Sequence, residues 1–191
     1  MNLCSESELR ELLTRHGFHF SKAKGQNFLV REWVPERIAD AAGAEGAFVL
    51  EVGPGVGALT TQLCRRADRV CAVELDRSLR PLLAETLAGH DNLEIVFADV
   101  LKTDLPALVA ERAGGRRAVA CANLPYYITT DVLTQLLRCG CFSDVTVMIQ
   151  KEVAQRIVAR AGTAEYGAFS VFCRFWADAE LCFDVPPDCF I

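Results

Sequence analysis

The sequence predicts a doubly wound α/β fold on a mostly parallel sheet, and three observations carry that expectation. Short runs that are apolar on successive residues recur along the chain, as strands buried on both faces do. Stretches with helical spacing separate them. The residues just after the runs are glycines, acids and an Asn-Leu-Pro-Tyr, placed where an open α/β sheet has its ligand crevice. A chain of 191 residues suits one principal domain, and one that is half apolar with eleven Phe has ample material for a core.

In chain order, Ser5 with Glu8 makes a capping-box pattern, Leu9, Leu12 and Leu13 follow at helical spacing, and Gly17 supplies a stop. A basic, aromatic link runs from Phe18 to Lys24. Pro35 then sits where a second helix would start, with Ile38, Ala39 and Ala42 as its apolar side and Gly43 after it. Strands are expected at Ala47 to Val52, Val70 to Leu75, Leu93 to Phe97, Ala118 to Ala122 and Val145 to Gln150. Helices are expected near Leu59 to Arg66, Ser78 to Ala88, Pro106 to Arg112, Thr130 to Leu137 and Val153 to Arg160. The last two apolar runs, Phe169 to Trp176 and Ala179 to Val185, are separated only by Ala177 and Asp178. So short a link suits a hairpin, giving a seven-stranded sheet that ends in an antiparallel pair. Residues 1–46 form an N-terminal helical segment in this scheme, and 47–191 the core.

Glu51, Glu74, Asp99 and Lys151 interrupt the apolar segments, so no run approaches the roughly 18 residues of a membrane span. Glu6, Glu8, Arg10, Glu11 and Arg15 occupy the stretch where a secretory signal would need an apolar block, so a cytoplasmic protein is expected. Nine cysteines are odd in number, and Cys71, Cys121 and Cys173 lie inside apolar runs, which reads as reduced core thiols. Cys139 and Cys141 are the one close pair. Without a Cys-x-x-Cys or a matching His pair, no metal is expected. A net charge of −5 argues against a surface given over to nucleic acid, but leaves local basic faces at Arg65, Arg66 and Arg69, at Arg112, Arg116 and Arg117, and at Lys151, Arg156 and Arg160. For any one of these clusters, solvated helix ends and loops are the favoured reading.

The strand ends carry the chemistry. Glu51-Val52-Gly53-Pro54-Gly55-Val56-Gly57-Ala58-Leu59-Thr60 follows the first run, Glu74-Leu75-Asp76 the second, Asp99 the third and Asn123-Leu124-Pro125-Tyr126 the fourth. The glycine loop by itself also satisfies the dinucleotide fingerprint, with Glu74 near the place of its ribose-binding acid, so a nicotinamide oxidoreductase is a rival. So many carboxylates would serve a pyrophosphate poorly, whereas a sulfonium with an ammonium group tolerates them. S-adenosylmethionine meets that demand: glycines admit its methionine portion, Glu74 accepts from the ribose hydroxyls and Asp99 from the adenine amine. Singly, Glu74 and Asp99 read equally well as a solvated strand-end acid or a helix cap.

Asn123-Leu124-Pro125-Tyr126 is the most specific of these signals. An exocyclic amine on a base is a poor nucleophile, because its lone pair is delocalised into the ring, so it must be turned and held. The Asn123 side-chain oxygen and a backbone carbonyl near Leu124 could accept its two protons, with Pro125 stiffening the turn and Tyr126 offering a stacking face to a flipped base. A Pro turn with a buried Tyr is the bland alternative.

These residues together resemble the ribosomal RNA adenine N6-dimethyltransferases, which use S-adenosylmethionine on a class I methyltransferase, Rossmann-like fold. The resemblance runs from Lys24 to the end of the chain. Lys24-Gly25-Gln26-Asn27-Phe28-Leu29 is similar to the family's first motif, and Glu51 to Thr60, Glu74 to Asp76, Asp99 with Asp104, and Asn123 to Tyr126 are similar to the next four. Gln150 to Ala154, Tyr166-Gly167 and Val185-Pro186-Pro187 with Phe190 resemble the later ones. The resemblance implies that Gln26, Asn27 and Leu29 touch the cofactor, that Glu51, Gly53, Gly55 and Gly57 line its methionine end, and that Glu74, Leu75, Asp99 and Val100 hold its ribose and adenine. Asn123, Leu124, Pro125 and Tyr126 would then be catalytic, with Asn123 also touching the cofactor and Phe190 packing on the other face of the target adenine. Gly25 before Gln26 resembles the branch that dimethylates two adjacent adenines near the 3′ end of small-subunit RNA, more than the antibiotic-resistance branch acting on large-subunit RNA. The implied substrate is ribosomal RNA in a small-subunit particle, met by a monomer. A helical domain follows the Phe190 motif in that family, and its absence here would weaken RNA binding. A non-catalytic binding protein on the same fold remains the alternative from another class, and intact Asn123, Pro125 and Tyr126 favour the enzyme.

Overall fold

The computed structural model describes residues 1–18 and 28–191. Helix α1 (Glu6–Arg15) and helix α2 (Trp33–Ala41) precede five strands: β1 (Phe48–Val52), β2 (Arg69–Glu74), β3 (Leu93–Phe97), β4 (Ala118–Asn123) and β5 (Asp144–Met148). Between and after them lie α3 (Ala58–Cys64), α4 (Arg80–Thr86), α5 (Leu105–Arg112), α6 (Thr129–Arg138), α7 (Lys151–Val158) and α8 (Ala168–Trp176). Pro35 falls in the first turn of α2, where its missing N–H costs nothing. Ser5 does precede α1, but its side chain makes no cap; the Glu8 carboxylate instead accepts from the Asn2 backbone N–H at 2.8 Å, so the expected capping box is not formed.

The sheet runs β3-β2-β1-β4-β5 and every pairing is parallel. Alternate β1 side chains serve two cores. Phe48, Leu50 and Val52 join Leu105, Leu108, Leu133 and Leu136 beneath α5 and α6, while Val49 joins Ile38, Leu59 and Leu63 beneath α2 and α3. A face covered on both sides is what an uninterrupted apolar run requires, and each such fully buried Leu or Val contributes about 1.5–3 kcal/mol. A third cluster joins Leu9, Leu12 and Leu13 of α1 to Leu79, Leu82 and Leu83 around α4. All nine cysteines are free thiols, and Cys64, Cys71, Cys121, Cys173 and Cys189 are buried.

The structure corrects the end of the expected sheet: among the described residues five parallel strands are present, not seven closed by an antiparallel hairpin. Phe169 to Trp176 lies in α8. Phe169, Phe172, Cys173 and Trp176 recur at steps of three, one and three, the period of a helix face, and the Gly167 N–H donates to Ser170 Oγ at 3.1 Å to start the helix. With its hairpin partner helical, Ala179 to Val185 has no ladder to join and forms no strand. Its alternation survives only in Phe183 and Val185, which pack against the α2 and α3 core. An isolated antiparallel bridge, Leu29 with Phe190, ties the last residues to the chain entering α2.

Candidate functional site

The strand order reverses at β1, so the loop after β1 and the loop after β4 flank one crevice. A cavity of about 510 Å³ opens there, within the range of small-molecule sites. Its walls include Leu29, Glu51, Gly53, Gly55, Glu74, Leu75, Asp99, Val100, Asn123, Leu124, Pro125, Tyr126 and Phe190. These residues come from strand ends far apart in the chain and meet in one cavity. Gln26 and Asn27 lie outside the described residues.

Gly57 departs from that pattern, since it does not line the cavity. It begins α3 with φ +95, and a Cβ there would stand 2.7 Å from Leu87 Cδ2, so its lack of a side chain serves helix packing. Gly53, with φ +72, has nothing within 4 Å of where its Cβ would project, and leaves that part of the cavity open.

Glu51 is 1% exposed, and among the described residues neither its Oε2 nor the hydroxyl of Thr60, also fully buried, has a partner in hydrogen-bonding geometry. Burial pushes the Glu51 carboxyl up to about 8, a nearby Thr60 hydroxyl opposes the shift, and Glu74 adds to it. Glu74 is also buried, and burial raises its pKa too, but backbone N–H groups of Asp76, Gly55 and Leu75 counter that rise. The Asp76 N–H donates to Glu74 Oε1 at 2.7 Å. A carboxylate offers about four lone-pair sites, so Glu74 keeps acceptor capacity facing the cavity.

Asp99 fulfils the bland reading and keeps room for the other. Its Oδ1 accepts from the Leu101 N–H at 3.0 Å, capping a 3-10 turn over Val100–Lys102, while Oδ2 lies 3.4 Å from Lys102 Nζ. Asp104 is a plain cap, accepting from the Ala107 N–H at the start of α5. The Gln135 amide on α6 donates to the Val100 and Thr103 carbonyls at 2.9 and 3.0 Å, and so braces the segment that carries Asp99.

On the other flank, Asn123 closes β4 half-buried, and its side chain makes no hydrogen bond to a described residue. The next two carbonyls differ. Pro125 O accepts from Thr129 Oγ1 at 3.0 Å and from the Ile128 N–H at 3.3 Å, whereas the Leu124 carbonyl receives no bond from a described residue. The Leu124 N–H is tied to Met148 O at 3.1 Å and its side chain is buried, so the free carbonyl is firmly placed. Tyr126 and Tyr127 stand at the mouth, 53% and 58% exposed. Phe28 of the first motif also lines the cavity, as do Tyr127, Met148 and Ile149, which no local pattern in the sequence marks and which the approach of distant segments brings there.

Several of the basic residues are held in ion pairs. Arg66 meets Asp40, Arg112 meets Glu94 and Glu111, Arg116 meets Asp68, Arg117 meets Asp144 and Lys151 meets Asp184. Among the described residues, no group of three or more His, Cys, Asp or Glu could hold a metal ion, and no helix is long and apolar enough to cross a membrane.

The family model described as ribosomal RNA adenine dimethylase matches residues 17–191. The protein of Alkaliphilus oremlandii named Ribosomal RNA small subunit methyltransferase A is 42% identical over 191 residues, covering 99% of this chain and 67% of that protein. Its namesake from Ligilactobacillus salivarius is 44% identical over 192 residues, covering 99% of this chain and 65% of that protein. The chain thus spans about two thirds of the length of the curated relatives it matches. Among solved structures, the 23S rRNA methyltransferase ErmE aligns with a TM-score of 0.61 at 32% identity, over 69% of this chain and 51% of that one. A dimethyladenosine transferase from Plasmodium falciparum aligns with a TM-score of 0.63 at 27% identity, over 76% and 51%. The O-methyltransferase TomG from Streptomyces achromogenes, solved in complex with SAM, reaches 0.51 at 15% identity over 89% and 74%, a likeness of fold.

Proposed function

This chain belongs to the ribosomal RNA adenine dimethylases, a family of S-adenosylmethionine-dependent methyltransferases, and on that footing we propose that its cavity carries methyl transfer to the N6 amine of adenine in small-subunit ribosomal RNA. The substrate in this reading is two adjacent adenines near the 3′ end of that RNA, presented in a small-subunit particle to a cytoplasmic monomer. The observation that carries it is the pair of acceptors at the end of β4 that no described residue satisfies, the Asn123 amide oxygen and the Leu124 carbonyl, which match the two protons of an exocyclic amine.

The other flank fits the cofactor. An unpaired, fully buried carboxylate oxygen on Glu51 suits a cationic methionine end, and Glu74, held by backbone N–H groups, suits a pair of ribose hydroxyls. Bound there, S-adenosylmethionine supplies a methyl group on a sulfonium, already activated for transfer. The chain's own task is to orient. The Asn123 and Leu124 oxygens each accept a hydrogen bond from the amine and turn the nitrogen lone pair out of the ring plane, which converts an unreactive amine into one aligned for attack. Tyr126 supports the flipped base from one face and Phe190 from the other. Asp99 accepts from the cofactor's adenine amine beside Val100 and Leu75, and Leu29 closes the methionine side, so residues 1–46 contribute to the cofactor site that 47–191 builds.

The test is to incubate the chain with methyl-labelled S-adenosylmethionine and small-subunit particles lacking the modification, then digest the RNA to nucleosides. Label in N6,N6-dimethyladenosine is expected. Label in another nucleoside, or none while the cofactor binds, would overturn the reading.

A further inference from the structure

We propose that S-adenosylmethionine enters this cavity in exchange for the proton of Glu51, so that the ionisation of one buried carboxyl discriminates the cofactor from its demethylated product. The inference rests on the cofactor assignment above and adds to it a role in release of the spent cofactor.

Three features of the site carry it. Glu51 is on the central strand, fully buried, and reaches the cavity wall with an oxygen that no described donor satisfies. Among the described residues, the titratable groups facing it bring no positive charge: Glu74 comes from β2, Cys64 from α3 and Cys121 from β4, with the neutral Thr60 hydroxyl beside it. An isolated carboxylate in such a place is costly, so the empty site holds the neutral acid, in keeping with a carboxyl raised to about 8.

A ligand that carries an ammonium and a sulfonium reverses this balance. Its positive charge favours the carboxylate, the O–H bond of Glu51 breaks, and the proton leaves to solvent. Methyl transfer turns the sulfonium into a neutral thioether and so removes one positive charge from the cavity. The carboxyl then regains a proton more readily, and the product loses part of its hold. The coupling has a definite sign: affinity for S-adenosylmethionine relative to S-adenosylhomocysteine rises with pH across the interval in which Glu51 is ionised beside the first ligand but still protonated beside the second, and levels off by about 8, the value of the empty site.

Calorimetric titration of the chain with each ligand, in buffers of different ionisation enthalpy at pH 7, reads the protons exchanged. We expect close to one proton released per S-adenosylmethionine, and clearly fewer per S-adenosylhomocysteine. The amino group of either ligand, if bound as the ammonium, can only take protons up, the opposite sense. Glu51→Gln should abolish the release, whereas Glu74→Gln should weaken binding and keep it. The ratio of the two affinities in the unaltered chain, measured from pH 5.5 to 8.5, needs no variant and should change severalfold. Binding without buffer dependence, an unchanged release in Glu51→Gln, or a flat ratio would overturn the proposal and leave the cofactor assignment standing. Absence of binding by either ligand would overturn both.

Discussion

At the ends of β1 and β2 the polar groups are sealed from water or already held by backbone donors, while at the end of β4 they stand unpaired beside two exposed tyrosines. Glu51 and Glu74 occupy fixed positions before any ligand arrives. The Asn123 side chain, the Leu124 carbonyl and the Tyr126 side chain are presented at a stiff turn and have no hydrogen bond to a described residue. A preformed pocket suits a small molecule that must be captured from solution. A half-built one suits a base that brings its own remaining walls and must be oriented only when it reacts. Changes on the first flank should therefore act on cofactor affinity, and changes on the second on rate.

The largest effect is expected from Asn123→Ala. Loss of one oriented acceptor should lower the single-turnover rate by about a hundredfold or more, roughly 2–4 kcal/mol by analogy with an oxyanion-hole donor, while cofactor affinity changes little. Rapid-quench kinetics at saturating RNA, beside a thermal melt, checks this.

Next comes Glu51→Gln, read as stability without ligand. The folded chain keeps a proton on Glu51 that the unfolded chain loses above its ordinary value of 4.5, so the parent loses stability, relative to a neutral isostere, as pH rises from 4.5 to about 8. The variant should gain about 2–4 kcal/mol over the parent across that interval, and no more above it. Denaturant melts at pH 5, 6.5, 8 and 9 would show the widening difference and its plateau.

Glu74→Ala removes the acceptors offered to the ribose and should weaken S-adenosylmethionine by about 1–3 kcal/mol in a calorimetric titration. Unchanged affinity in a folded variant would free Glu74 from that role. Gln135→Leu is the mildest. Two carbonyls lose their donor, stability should fall by about 1–2 kcal/mol, and cofactor affinity should weaken only a few-fold as the Asp99 segment loosens.

How far the sequence could be read differs in the same way between regions. β1, β2 and β4 are buried on both faces, and a continuous apolar run reports that directly. The run from Phe169 to Trp176 is apolar enough for a strand and periodic enough for a helix. The Gly167 to Ser170 contact at its start and the helical recurrence of Phe169, Phe172, Cys173 and Trp176 decide it. Glu8 had two possible partners, and the nearby Asn2 backbone took it in place of a cap. Acids and glycines at strand ends announce themselves because that position is rare for them in a core. Met148, Ile149 and Tyr127 reach the cavity only through the way β5 and the turn after β4 come together, which no local pattern encodes.

The contrast between the flanks is tested most directly by a crossed measurement on Glu74→Ala and Asn123→Ala, recording cofactor dissociation constant and single-turnover methylation rate for each. The expected result is a split: Glu74→Ala shifts the dissociation constant and recovers most of its rate at saturating cofactor, while Asn123→Ala binds cofactor as the parent does and stays slow at any concentration. Two folded variants that shift the same quantity, or an Asn123→Ala chain turning over at the parent rate, would contradict the division of labour drawn from this cavity.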